Sequence, residues 1–508
     1  MIRTIKVNAG DNVLIPVENM PQGGEIRNGE TRLRALEDIP QGHKIALRDM
    51  GEGDPVIRYG VVLGCLTRNV RAGGRIDEHM LRLPPPPEPD EMPYGTSAPV
   101  LPAGPADLPG FFEGYDVPGN PFAGTRNMLG IMSAVQCVAG VLNAAVGRIR
   151  AELLPRYPNV DGVTAINHAY GCGIAIHGKD SDIPQRTLRN MLRNPNFGGE
   201  VMVAGLGCEK FTMDMLLKSD EKTVENVVIL QEQEGFGRMM DAIMDMAEKK
   251  LERLNRRRRI TLPLEKLCVG MQCGGSDAFS GITANPAAGY ASDLLVRAGG
   301  TVLFSEVTEV RDAVHLLAAR CTDRETVQKL AREMKWYDSY LEQGGADRSA
   351  NPSPGNKQGG LANVLEKAMG SIAKSGGSPI AEVLSPGERP SRRGLIFAAT
   401  PASDFVCGPL QLASGMGLQV FMTGRGTPYG LAAAPVIKVS SRTDLKKQWQ
   451  DLIDVDAGTI ATGEENIGQV GERIFRMIVD TASGRYKPWV ERYGLYNDID
   501  LFDPSPVT

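Results

Sequence analysis

The sequence predicts a small all-β module followed by α/β layers with mostly parallel sheets. Three observations predict it. Up to about residue 83 the chain reads as short alternating or β-branched runs separated by Gly, Pro and Asp pairs. A proline-rich stretch then interrupts it. From Thr125 onward, apolar runs of strand length alternate with segments of helical spacing. At 508 residues the chain is also too long for one ordinary domain.

Taken in order, 2–7, 12–17, 31–36, 43–47 and 55–63 read as the strands of the β-module, residues 1–83. Pro84-Pro85-Pro86-Pro87-Glu88-Pro89-Asp90 is stiff and has little to bury, so 84–120 reads as a linker. Segments 160–167, 200–205, 224–230, 267–272 and 301–307 read as buried strands, and 133–154, 237–257 and 288–297 as helices. Arg256-Arg257-Arg258-Arg259 closes a helix, where cations complement the dipole, and marks a domain edge. Hence the division into 121–260 and 261–508. Within the latter, 379–384, 393–399, 418–423 and 435–439 are strands, 463–482 is a helix, and 349–357 is a polar loop without regular structure.

Composition excludes several classes. Hydrophobic residues make up 42 % and charged residues 23 %, a balance that can bury a sizeable core. The net charge of -5 gives no general attraction to nucleic acid or anionic membranes. The N-terminus lacks the apolar core of a signal peptide. The longest uncharged stretch, 127–147, is broken by Asn127, Ser133, Gln136 and Asn143 and reads as a strand and a packed helix rather than a membrane span. The eight cysteines are scattered and read as reduced thiols. A soluble cytoplasmic protein is expected.

The chemistry gathers behind the strands. Segment 160–167 runs into His168-Ala169-Tyr170-Gly171-Cys172-Gly173, and 200–205 into Leu206-Gly207-Cys208-Glu209-Lys210. Segment 267–272 runs into Cys273-Gly274-Gly275-Ser276-Asp277, and 301–307 carries Ser305 and Glu306, with Glu309 beyond. Ligands of open α/β sheets bind beyond the carboxyl ends of strands, and glycines let backbone N–H groups approach an anion. One convergent polar site is the sharper reading of these loops. The plainer reading makes a lone cysteine a small buried hydrophobe, and it is preferred for Cys65, Cys137, Cys268, Cys321 and Cys407. No Cys-x-x-Cys pair occurs, so zinc and ordinary iron–sulfur sites lack their usual spacing. His79 and His177 read as surface residues or as residues backing a site, and His315 as a core histidine.

Longer motifs carry a resemblance. Segments 39–47 (IPQGHKIAL), 167–173 (NHAYGCG), 194–210 (NPNFGGEVMVAGLGCEK), 270–286 (GMQCGGSDAFSGITANP), 304–312 (FSEVTEVRD) and 347–357 (DRSANPSPGNK) resemble the galactarate dehydratase/altronate dehydratase family. So do 399–408 (ATPASDFVCG), 423–430 (TGRGTPYG) and 456–465 (DAGTIATGEE), and the likeness spans nearly the whole chain. A sulfolactate sulfo-lyase subunit is a more distant member. The resemblance implies a β-clip of the SAF type followed by two α/β domains. It further implies loss of water from galactarate to give 5-dehydro-4-deoxy-glucarate, Fe(II) as cofactor, and a homodimer.

Dehydration next to a carboxylate puts a second negative charge on an anionic group, so the site must concentrate positive charge there. A metal is expected among His168, Cys172, Cys208, Glu209, Cys273, Asp277 and Glu306, as a single iron in preference to a cluster. His43 and Lys44 are the acid/base candidates. Arg58, Arg126, Ser276, Lys357 and Arg425 are the candidates for holding the substrate, with Arg126, Lys357 and Arg425 as clamps for its distal carboxylate. Altronate or glucarate is the alternative substrate, and a non-catalytic sugar-acid sensor the alternative class. A nicotinamide enzyme would need a Gly-x-Gly-x-x-Gly turn, whose spacing 424–430 does not supply.

Overall fold

The computed structural model describes residues 2–505 apart from 30, 91, 98–100 and 103. Its N-terminal part is all β. Thr4–Ile5, Val13–Pro16, Lys44–Ala46 and Arg75–Ile76 form an antiparallel sheet, Pro55–Arg58, Val61–Leu66 and Leu81–Arg82 a second, and Glu25–Asn28 with Thr31–Arg34 a hairpin. The continuous run 55–63 expected from sequence is therefore two strands. Tyr59 (φ 57°) and Gly60 (φ 74°) turn the chain between them, and both positive angles suit a tight hairpin. The stretch read as a bare linker contributes a strand, Phe111–Gly114, which pairs antiparallel with Ile260–Pro263.

The middle part holds four parallel strands in the order Gly162–Ile166, Met128–Ser133, Val203–Gly205, Val227–Ile229. One face buries Leu129, Ile131, Val163 and Ala204 beneath the helices Ala139–Arg148 and Gly235–Asn255, through Leu142, Ile243 and Leu251. The other face, with Met128, Met132, Ile166 and Val203, belongs to a core shared with Cys268, Leu303 and Phe421 of the C-terminal part. Parallel strands covered on both sides read as apolar runs, which is why Met128–Ser133 is visible in the sequence. The helix expected over 133–154 is shorter; its α-helical portion is Ala139–Arg148.

Seven parallel strands form the C-terminal sheet, in the order Ile380–Leu384, Gly394–Ala398, Thr301–Phe304, Cys268–Cys273, Leu418–Thr423, Val436–Ser440, Val455–Asp456. Alternate residues of the central strand enter two cores. Val269, Met271 and Cys273 pack with the helices Ala284–Arg297 and Ile467–Ala482, whereas Cys268 joins the core shared with the middle part. The loop expected over 349–357 carries a short helix, Pro354–Gln358, capped by Ser353 and Asn356.

The β-module docks on this C-terminal part. Ile15 and Val17 pack against Phe279, Ile282 and Ala461. Glu366, fully buried, binds Lys44 Nζ at 2.7 Å and also pairs with Arg58. Lys44 donates further to the Gly360 carbonyl (3.0 Å) and Arg58 to the Ala278 carbonyl (2.7 Å). Removing one member of such a buried network leaves an uncompensated charge, which costs about 3–5 kcal/mol. The variant Glu366→Ala should accordingly lower the urea unfolding midpoint by that much stability, while Lys335→Ala, which loses only an exposed pair with Asp90, should change it by under about 1 kcal/mol. Equal, small effects in both would remove Glu366 as the tie between the modules.

Candidate active site

The strands Cys268–Cys273 and Leu418–Thr423 are neighbours, and the chain runs outward from them in opposite directions: Thr301–Phe304 on one side, Val436–Ser440 on the other. This is the switch point of the sheet, beyond whose carboxyl edge a ligand crevice opens. The two loops that leave it meet there, with the amides of Gly424 and Arg425 donating to the Gly275 carbonyl at 3.1 and 2.7 Å. Asp277 follows. A Cβ on Gly424 would lie 2.2 Å from the Asp277 carboxyl carbon, so only glycine fits at 424.

Asp277 is 2 % exposed. Its Oδ1 accepts hydrogen bonds from the amides of Phe279 (3.0 Å) and Ser280 (2.9 Å) and the hydroxyls of Ser280 (3.1 Å) and Ser441 (2.9 Å). Its Oδ2 forms an ion pair with Arg442 Nε at 2.9 Å, off the line of the N–H bond, and accepts no hydrogen bond. One oxygen is thus fixed and the other left available.

Asp277 lines two spaces. Outward lies a polar cleft of about 140 Å³ between the β-module (Asn19, Gln41) and the C-terminal part (Gln358, Arg425, Arg442). It is smaller than a drug-sized pocket, as suits a small polar ligand. Arg442 reaches across to Gln41 (2.8 Å) and Arg425 is held by Gln358 (2.9 Å). Inward, Tyr59, Cys273, Ser276 and Lys367 enclose about 10 Å³, room for roughly one water. The Ser276 hydroxyl is buried there without a partner.

Behind the inner space sits a buried charge cluster. Lys374 Nζ lies 3.3 Å from Cys273 Sγ, 3.2 Å from Glu306, 3.5 Å from Glu309 and 2.8 Å from Ser371. Lys367 binds Glu309 at 2.8 Å. Burial, then the Glu309 charge, pushes the Cys273 thiol up to about 11. Burial and Glu309 likewise raise the Glu306 carboxyl well above its ordinary range. Burial would raise Glu309 too, but Lys367 and Lys374 outweigh it and hold that carboxyl low. For Lys374, burial opposes the charge, and the surrounding Cys273, Glu306 and Glu309 overcome it. Burial and the mutual charges thus push Glu306 and the Cys273 thiol toward their neutral forms, and Glu309, Lys367 and Lys374 toward their charged forms. Glu306 is also held at φ 79°, a backbone region costly for a side chain and found mostly at functional sites.

Among the described residues, Cys273, Glu306 and Glu309 bring three donor atoms within 4.8 Å of one another. One soft and two hard donors suit a divalent transition metal. The Lys374 ammonium stands among them, a cation in the place an ion would take. The donor set has the kind and spacing that a metal takes, and an ion there would displace the Lys374 ammonium.

The structure divides the residues expected to converge. Cys273, Ser276, Asp277, Glu306 and Arg425 gather at the C-terminal sheet edge. His168, Cys172, Cys208 and Glu209 lie at the edge of the middle sheet instead. His168 has no lone pair to give a metal, because one ring nitrogen meets the Ser133 carbonyl (2.6 Å) and the other accepts from the Tyr170 amide (3.1 Å). Glu209 accepts from the Gly207 amide at 2.6 Å. Lys44 and Arg58 are consumed by Glu366, which makes them struts rather than acid, base or substrate ligand. The charged neighbours of His43 are Lys44, Arg75 and Glu78 of its own module, and burial lowers its pKa. Arg126 is spent on a two-pronged pair with Glu491 (2.7 Å each) and on the carbonyls of Thr125 and Thr481. It borders a larger cleft of about 270 Å³ between the middle and C-terminal parts, whose arginines are already satisfied: Arg150 binds the Val163 carbonyl. Lys357, on the short helix, does not line the polar cleft; its neighbour Gln358 does.

Sequence reasoning missed Arg442, Lys367 and Lys374. Arg442 follows a strand at its carboxyl end, the signal used for the other loops. The two lysines lie on or just beyond a helix, Val364–Ile372, whose charges look solvated until the fold buries them.

Three family profiles match in succession: the altronate/galactarate dehydratase SAF domain over residues 2–84, the second domain of D-galactarate dehydratase/altronate hydrolase over 114–255, and the D-galactarate/altronate dehydratase C-terminal domain over 264–507. The chain belongs to the galactarate/altronate dehydratase family. It is 55 % identical over 517 residues to galactarate dehydratase (L-threo-forming) of Escherichia coli (strain K12), covering 99 % of this chain and 97 % of that protein. Altronate dehydratase of Bacillus subtilis (strain 168) is 31 % identical, covering 95 % of each. The (2R)-sulfolactate sulfo-lyase subunit beta of Chromohalobacter salexigens is 30 % identical over 65 % of this chain and 84 % of that one. Dehydratases of this family thus share both α/β parts and the β-module, and no helix among the described residues is long and apolar enough to cross a membrane.

His168 gives a pH prediction. Burial lowers its pKa from 6.5 to about 4. The unfolded chain then binds more protons below about pH 6.5, so the stabilisation is complete above that pH and is lost as pH falls toward 4. The difference corresponds to about 3 kcal/mol. Unfolding free energies measured between pH 7 and 4 should fall by up to that amount, and His168→Gln should flatten this part of the profile; an unchanged slope would show that His168 is not held neutral.

Proposed function

We propose that the chain is a galactarate dehydratase, a hydro-lyase that eliminates water from galactarate to give 5-dehydro-4-deoxy-D-glucarate. The observation that carries the reading is the pair of guanidinium groups, Arg425 and Arg442, in a small polar cleft beside the half-satisfied carboxylate of Asp277. Two cations suit a substrate with two carboxylates better than an aldonate such as altronate, which carries one. The 55 % identity to a galactarate dehydratase, against 31 % to an altronate dehydratase, favours the same choice.

The cleft residues define the steps. Arg442 and Arg425 bind the two carboxylates by charge-assisted hydrogen bonds, which fixes the sugar diacid along the seam. Asp277, immobilised through Oδ1, takes the proton next to one carboxylate on Oδ2. The electrons of the broken C–H bond form the enolate, and Arg442 and the Lys367 ammonium meet its added charge. The C–O bond of the neighbouring carbon then breaks, the departing hydroxide takes a proton from Lys367, and the one-water space beside Ser276 receives the water. Tautomerisation of the enol gives the ketone. A divalent metal held by Cys273, Glu306 and Glu309, which we take to be iron(II), would supply Lewis-acid stabilisation of the same developing charge. A single iron, a cytoplasmic location and a homodimer complete the reading; they rest on the resemblance.

The test is anaerobic turnover of galactarate with added iron(II), followed as 2-keto acid formation with and without a chelator. Product should form and the chelator should abolish it; activity on altronate alone would overturn the substrate. Two variants separate binding from chemistry. Arg425→Ala should raise KM about 10- to 100-fold, the worth of a charge-assisted bond, with kcat little changed. Asp277→Asn should lower kcat about 10²- to 10⁴-fold with a small effect on KM. A wild-type kcat in Asp277→Asn would remove it as the base.

A further inference from the structure

The β-module carries a residue that its own fold does not ask for. Tyr59 and Gly60 form the two-residue turn between Pro55–Arg58 and Val61–Leu66, at φ 57° and 74°. Such turns take Asn, Asp or Gly at the first position, and a tyrosine held there is strained. Besides glycines, positive φ occurs among the described residues only at Tyr59, Asp180 and Glu306. Glu306 belongs to the buried charge cluster, and Tyr59 lines the one-water space in front of that cluster.

The phenol is seated among elements of the C-terminal part. The Arg58 guanidinium carbon lies over its ring, 4.7 Å from the centroid. A Cβ on Gly281 would lie 2.5 Å from the Tyr59 hydroxyl oxygen and one on Gly370 3.8 Å from it. The same space is lined by Cys273, Ser276, Asp277, Asn285 and Lys367. It is polar and short of partners: Ser276 Oγ, Asp277 Oδ2 and Asn285 Oδ1 are buried without a hydrogen bond, on residues only 1–3 % exposed. Asn285 is oriented by its Nδ2, which donates to the Gly370 carbonyl at 2.9 Å and leaves Oδ1 over. A polar cavity of one water's size with several unpaired groups is a water site. Burial pushes the Tyr59 phenol up to about 12, so at neutral pH it is a donor beside these acceptors.

We propose that Tyr59 holds the departing hydroxyl of the substrate by a hydrogen bond from its own hydroxyl, with Ser276 Oγ and Asn285 Oδ1 completing the subsite; the inference rests on the hydro-lyase reading. Asp277 first removes the proton next to the carboxylate. When the C–O bond of the neighbouring carbon breaks, its electron pair stays with the oxygen. The Tyr59 hydroxyl meets the charge that gathers there, and Lys367 supplies the proton. The product water then partners Ser276 and Asn285. A space for one oxygen admits a single hydroxyl of the sugar acid while the rest stays in the seam. The β-module is thereby part of the catalytic apparatus, and more than a wall of the cleft.

The test is Tyr59→Phe in the full chain, which removes the hydroxyl and keeps the ring under Arg58. Its kcat on galactarate should fall about 10- to 100-fold, the worth of a hydrogen bond to a charged group, with KM and the unfolding midpoint little changed. The oxygen-18 isotope effect at the departing hydroxyl should rise above the wild-type value, because C–O cleavage becomes slower relative to proton removal. A role confined to shaping the turn would slow both steps alike and leave that isotope effect unchanged. Ser276→Ala should lower kcat and raise the isotope effect in the same direction. A wild-type kcat in Tyr59→Phe, a loss of activity accompanied by a lowered unfolding midpoint, or an unchanged isotope effect would each overturn the proposal and leave the hydro-lyase reading intact. Wild-type protein that fails to turn over galactarate would overturn that reading, and this inference with it.

Discussion

Glu366 is the constraint on which the site depends. It lies in the C-terminal part with no exposure to solvent, and its two oxygens are taken by Lys44 and Arg58 from the β-module. Among the described residues neither cation forms an ion pair with any other carboxylate, so undocking would strand buried charge on both sides. Docking in turn builds the cleft, because Asn19 and Gln41 form one wall and Arg425 and Arg442 the other. Glycines make the approach possible: Gly42 and Gly360 pack so closely that a Cβ on Gly360 would lie 2.4 Å from the Gly42 carbonyl oxygen.

The second constraint is the distribution of charge behind the cleft. Two lysines, two glutamates and a cysteine share a buried space, where each ionisation depends on the others. Lys367 and Lys374 hold the Glu309 carboxyl low, while burial, and then the Glu309 charge, push Glu306 and the Cys273 thiol up. The result is a pair of ammonium groups beside and behind a one-water space, close to where the proposed mechanism develops the enolate charge. Recognition of a diacid needs only the arginines; the buried cluster is what elimination adds to it.

Much of this arrangement was legible in the sequence, and the exceptions have a common cause. Cys268–Cys273 and Leu418–Thr423 are uninterrupted apolar runs because both faces of a parallel sheet are covered, and the loops after them were identifiable as site loops from that fact. The same grammar, however, placed His168, Cys172 and Cys208 in one site with Cys273, since strand-then-glycine-loop looks alike in any parallel sheet. The sequence divides the chain into two α/β parts, but only the three-dimensional order shows that their sheets present separate carboxyl edges. Lys44 and Arg58 misled for a related reason: a lysine beside a histidine reads as chemistry, and its buried partner Glu366 is more than 300 residues away in sequence. Lys374 was hidden because nothing local distinguishes a buried lysine just beyond a mixed helix from a solvated one.

The most direct measurement is a crystal structure of the protein with galactarate, prepared anaerobically. The account predicts the diacid in the seam between β-module and C-terminal part, with carboxylates on Arg425 and Arg442 and a carbon-bound hydrogen facing Asp277 Oδ2. Galactarate bound instead in the cleft bordered by Arg126, Arg150 and Lys487, with the seam empty, would contradict it.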